Sequence, residues 1–99
     1  MSNFQHPKYD IIIYLLILYI INNLIKNNRR IVIKHHAFVR AMQRKIHPDL
    51  VEDCIKMGKI KRFEKNKIKF EKKLKSGTII CVGEENTNQI KIITIVKKL

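Results

Sequence analysis

In the stretch HHAFVRAMQR, His36, Arg40 and Arg44 recur every four residues, the interval that stacks side chains on one face of a helix. An imidazole, whose ordinary pKa lies near neutrality, can take or give a proton, and two guanidinium groups can hold a phosphate through paired N–H donors. These are groups that metal-independent RNA cleavage uses. A base removes the 2′-hydroxyl proton, an acid protonates the leaving oxygen, and cations stabilise the charge on the phosphorane. His36 and Arg40 are therefore the candidate catalytic residues, with Arg40 and Arg44 as phosphate contacts. The same spacing arises in any helix that keeps one polar side, so a binding or structural role is favoured over catalysis.

The elements that would position these groups follow from periodicity. Over residues 36–47, His36, Arg40, Gln43, Arg44 and His47 share one sector, and Ala37, Phe38, Val39, Ala41, Met42 and Ile46 fill the rest. Only Lys45 breaks the separation. His47-Pro48 ends this helix and starts another: Pro suits a first helical position, Asp49, Glu52 and Asp53 suit a positive helix end, and Gly58 can close it. Leu50, Val51, Cys54 and Ile55 form the narrow apolar stripe of this second helix. His35 reads as a solvated neighbour and His47 as part of the helix start.

Four short strands come next. IKRFE and IKFEKKL flank the turn-like KNK, TIICVG follows the KSG turn, and IKIITIVKK follows the polar EENTNQ, which places Glu84 and Glu85 in a hairpin turn. Ile68, Phe70 and Leu74 share a side with Lys72, while Lys69, Glu71, Lys73 and Lys75 point the other way. Phe63 and Phe70 alternate as core residues would, leaving no aromatic platform for bases. The expected architecture is α+β, with N-terminal helices packed on one face of a C-terminal antiparallel sheet of about four strands. IVI at 31–33 is only a short extended run ahead of the helices.

His36, Ala37, Arg40, Arg44, Ile46, Val51, Ile55, Gly58 and Ile60 together resemble the signature of an uncharacterised family of toxin-like domains related in fold to the RelE and colicin-type ribonucleases. The resemblance covers about residues 31–99, including the closing IKIITIV strand. Ala41 stands where the pattern usually has Met, and Lys45 where Gly is common. The resemblance implies an antiparallel sheet with preceding helices and activity directed at RNA. Fold kinship alone does not establish catalysis.

Charge points the same way without the resemblance. The chain has 99 residues and a formal net charge of +13, nearly all of it beyond residue 28. Residues 56–75 hold ten Lys or Arg against only Glu64 and Glu71. Such a field favours nucleic acid, an anionic membrane surface or an acidic protein. Lys61, Arg62 and Lys69 join Arg40 and Arg44 as expected nucleic-acid contacts. Abundant Lys and Ile also resemble the composition of small orphan proteins of hyperthermophilic archaeal viruses and mobile elements, where Lys enrichment is a stability and coding habit. A non-catalytic interaction protein of that kind, meeting an acidic partner, is the alternative reading.

Residues 1–8 read as a flexible tail and 9–99 as one domain. Ile11 to Ile21 is apolar without a break, but as a helix it would be only about 16 Å long, roughly half a bilayer core, so no membrane span is expected and the protein is placed in the cytoplasm, the host's if viral. A run apolar on all sides needs cover on all sides, which points to a homodimer contact through Ile11, Leu15 and Leu18. Its Ile content also allows a buried strand, and periodicity does not separate the two. Cys54 and Cys81 have no Cys or His at metal-ligand spacing, so neither metal nor cofactor is expected. Both read as small buried hydrophobes; a disulfide between them is an alternative that hyperthermophile cells would allow.

Overall fold

The computed structural model describes residues 25, 26 and 28–99. The expected tail at 1–8, and the run 11–21 with its dimer contacts Ile11, Leu15 and Leu18, lie outside the described residues. The chain forms β1 (Ile25–Lys26), β2 (Arg29–Ile33), α1 (His35–Gln43), α2 (Pro48–Met57), β3 (Lys59–Glu64), β4 (Lys67–Leu74), β5 (Gly77–Glu85) and β6 (Gln89–Lys98). The strands make one mixed sheet in the order β1-β2-β6-β5-β4-β3, five full strands with the two-residue β1 at one edge.

This corrects the expected fold. A strand precedes the helices, and the sheet is not purely antiparallel: β2 pairs in parallel with β6, matching Ile31 to Ile90 and Ile33 to Ile92. Strands β3 to β6 form an antiparallel meander that returns the chain to β2. A parallel partner needs a long crossover, and here both helices and three strands intervene. Nothing local marks IVI as half of such a pair, because its partner lies at the far end of the sequence.

Both helices cover one face of the sheet. Ala37, Phe38 and Ala41 from α1 and Val51, Cys54 and Ile55 from α2 meet Ile31 and Ile33, Ile68 and Phe70, Ile79 and Cys81, and Ile90, Ile92 and Ile95. Strand alternation sets this face: Ile68 and Phe70 are buried while Lys69 between them is not. Burying a side chain such as Phe38 or Val51 contributes roughly 1.5–3 kcal/mol. The register shifts between Val82 and Gly83, so that Gly83 faces Ile92 and Val82 faces Thr94 with Ile93 as the extra residue of β6. That shift lets Ile92 and Ile95, three apart, both enter the core.

The two cysteines are free and buried in this core. The Cys54 thiol donates to the carbonyls of Phe70 and Ile79, at 3.2 and 3.5 Å, and the adjacent Cys54 sulfur together with burial pushes the Cys81 thiol well above its usual pKa. Both pack as small hydrophobes in the core, while the hydrogen bond from Cys81 moves the Cys54 thiol the other way, below its usual pKa.

Helix ends are set by local chemistry. His47 caps α2 with Nδ1 accepting from the Asp49 N–H at 3.2 Å, and Pro48 opens the helix. Helix α1 ends in a Schellman motif: the Ile46 N–H reaches the Ala41 carbonyl, the Lys45 N–H reaches Met42, and buried Ile46 supplies the apolar contact. The motif needs a left-handed residue, and Lys45 occupies it at φ 61°. That conformation costs a non-glycine residue roughly 1–2 kcal/mol, of which a glycine's extra unfolded freedom would give back about 0.5–1 kcal/mol. Lys45→Gly is accordingly expected to stabilise the fold by up to about 1 kcal/mol, raising the thermal midpoint by about 4–8 °C. A midpoint unchanged or lowered in a calorimetric scan would show that any strain there does not exceed the entropic cost of the glycine.

Candidate nucleic-acid interface

Helix α1 begins one residue after β2 ends, and this sets what its polar side faces. The β2–β6 ladder stops at Ile33 opposite Ile92, with one more backbone bond from the Lys34 N–H to the Ile92 carbonyl at 3.0 Å. Beyond that point β6 runs on to Lys98 with no strand on its β2 side among the described residues. Helix α1 lies beside this bare stretch. His36, Arg40 and Arg44 line a half-open cavity of about 220 Å³ whose other walls are Ala37 and Ile93 to Ile95.

The Arg44 guanidinium is held there, donating from Nη1 to the Ile95 carbonyl at 2.9 Å. An unpaired strand carbonyl is costly to leave unsatisfied near the core, and the bond also fixes the direction of the cation. Its remaining N–H donors stay available for a ligand. Among the described residues no carboxylate lines the cavity and no ion pair holds His36, Arg40 or Arg44. The cavity can receive an anionic oxygen without first breaking a salt bridge. As an acid–base site it is incomplete: His36 is the one imidazole or carboxyl group in the lining, whereas cleavage takes both a base and an acid. His47, capping α2 and 3.6 Å from Asp49, is not part of the lining.

The other three expected contacts lie elsewhere. Lys61, Arg62 and Lys69 belong to the β3–β4 hairpin, two and three strands away from β6. Lys61 faces Lys69 across the ladder on the side turned away from the helices, while Arg62 faces Ile68 on the helix side. The five residues thus form no single surface. These cations are also partly neutralised: Lys61 and Lys69 both meet Glu71, at 3.2 and 3.3 Å, and Arg62 meets Glu85 at 2.7 Å.

Glu84 and Glu85 do not sit in a turn, as expected, but close β5 and take part in ion pairs. Glu85 receives Arg62 of β3 and Arg29 of β2, the latter at 3.3 Å, while Glu84 receives Lys67 at 2.7 Å. Sequence reasoning missed Arg29 and the bare edge at Ile95 because both depend on the parallel pair. It also misplaced Phe63, which is 48% exposed and not in the core. The Lys-rich strand around it was the available signal, since an edge strand with cations on both sides buries little.

The Arg62 guanidinium, through its hydrogen bonds and charge, holds the Glu85 carboxyl below its ordinary pKa of 4.5, with Arg29 adding a smaller pull in the same direction. A carboxylate with a depressed folded pKa stabilises the fold fully above its unfolded pKa and loses that contribution as pH falls through the folded value. Denaturant stability should therefore decline below about pH 4.5, and Glu85→Gln should make that acid limb shallower while lowering stability at neutral pH. Identical acid limbs in the two proteins would show that the cluster carries no linkage. Among the described residues no group of His, Cys, Asp or Glu could hold a metal ion, and no helix is long and apolar enough to cross a membrane. No protein-family model, curated protein or solved structure matches the chain.

Proposed function

We propose that the protein binds RNA through its phosphate backbone, with the His36, Arg40 and Arg44 side of α1 as the principal contact. The observation that carries this reading is the carboxylate-free cavity in which those three side chains meet the bare edge of β6. Guanidinium groups suit phosphate because their planar N–H forks match two oxygens at once, and one of the two here is already oriented by the Ile95 carbonyl. The +13 net charge would draw a polyanion toward this surface from a distance.

Binding without cleavage is the form this reading takes, because His36 lacks a second proton-transfer group in the cavity. The test is fluorescence anisotropy with a labelled RNA at low and moderate salt. Affinity should fall steeply as salt rises, since each neutralised phosphate releases condensed counterions. Arg40→Gln and Arg44→Gln should each weaken binding and reduce the salt slope by about one. Absence of binding at low salt would remove the proposal. The same RNA resolved on a gel checks the chemistry: it should remain intact with purified wild-type protein, and cleavage that His36→Ala abolishes would instead make His36 catalytic.

A further inference from the structure

Phe63 is the one large aromatic of the described residues left exposed, and neither the core nor the α1 cavity accounts for it. It sits at a bulge of β3: the register runs from Arg62 opposite Ile68 to Glu64 opposite Lys67, leaving Phe63 as the extra residue. A bulge on an edge strand re-aims the side chain it carries. The ring comes to rest beneath the Lys69 ammonium, 5.6 Å from its centroid, on the sheet face turned away from the helices. Lys61, cross-strand from Lys69, shares that face.

We propose that this hairpin is a second RNA contact, specific for single strands, in which Phe63 stacks on an unpaired base and Lys61 and Lys69 meet the flanking phosphates. The inference rests on the reading of RNA as partner and names the form of RNA recognised. An aromatic ring set among cations is the arrangement that single-strand binders use, since any base offers a π face while the charges follow the backbone. A duplex hides its base faces in the stack and could meet only the lysines. Residues 59–75 carry nine Lys or Arg against Glu64 and Glu71, so the surroundings of the ring suit a polyanion and oppose a basic partner such as a second copy of this chain. The ring and the α1 cavity lie on opposite faces of the sheet and three strands apart, so the two contacts can be tested independently.

The experiment compares wild type, Phe63→Ala and Phe63→Trp by anisotropy with an oligouridylate of about 12 nucleotides and with an RNA duplex. Phe63→Ala, removing an exposed side chain, should leave the thermal midpoint in place. It should weaken single-strand binding by about 5- to 100-fold, with the salt slope and the duplex affinity unchanged. The chain has no Trp, so Phe63→Trp introduces a lone indole whose emission should be quenched as single strands bind. Single-strand affinity unaltered by Phe63→Ala, or an unquenched indole while anisotropy reports binding, overturns this inference and leaves the α1 reading intact. Loss of binding that coincides with a fall in mass on sizing would assign the ring to self-association and overturn it as well. A wild-type protein that binds no RNA at low salt overturns both readings together.

Discussion

The parallel pairing of β2 with β6 is the constraint on which the rest of the arrangement depends. Because β2 is five residues long and β6 ten, the pair leaves half of β6 without a partner on that side among the described residues. The chain leaves β2 directly into α1, so the helix has only one place to lie, beside the uncovered half. That stretch carries backbone groups requiring hydrogen-bond partners. Arg44 satisfies one of them at Ile95, so the same side chain closes a gap in the sheet and holds a cation in a fixed direction. Lengthening β2 by two residues would both pair the edge and displace the helix that bears the cavity.

Where the few acids fall decides which of the many cations remain available. There are eight Asp and Glu for 21 Lys and Arg, and the acids in ion pairs are concentrated on β4, β5 and α2. Glu85 draws together Arg29 and Arg62, which come from strands on opposite sides of β5. These pairs are surface contacts worth little individually, about 0–1 kcal/mol. Their larger effect is on the map of charge, because they damp cations on both faces of the hairpin, through Glu85 on the helix side and Glu71 on the other, and leave the α1 cavity undamped.

The helices were legible in the sequence because their signals are local. One polar sector, a His-Pro junction and Gly58 mark elements that the structure bounds at His35–Gln43 and Pro48–Met57. The β4 alternation likewise sorted Ile68 and Phe70 from Lys69. What failed was non-local. IVI carries only a strand's alternation, and its role follows from a partner near the other terminus. Phe63 looked like core by analogy with Phe70, yet Phe70 lies on a strand paired on both sides and Phe63 lies at a bulge on the edge. The clustering of His36, Arg40 and Arg44 was readable from their spacing, whereas the wall that turns them into a cavity was not.

A net charge this high opposes compaction, since like charges brought together on folding repel one another. The fold meets that cost by keeping its core apolar, with no charged residue buried among the described residues, and by leaving the excess cations on the sheet's strands and one helix face in contact with solvent. Such a surface is relaxed by a bound polyanion, which both screens the repulsion and binds only where the cations are already arranged. Stability and recognition are then coupled by mass action, because a ligand that requires the folded arrangement of α1 against β6 stabilises that arrangement in proportion to its occupancy. The strained Lys45 backbone fits the same logic: it terminates α1 where Ile46 can enter the core, and so fixes how far the polar side of the helix extends along the open edge.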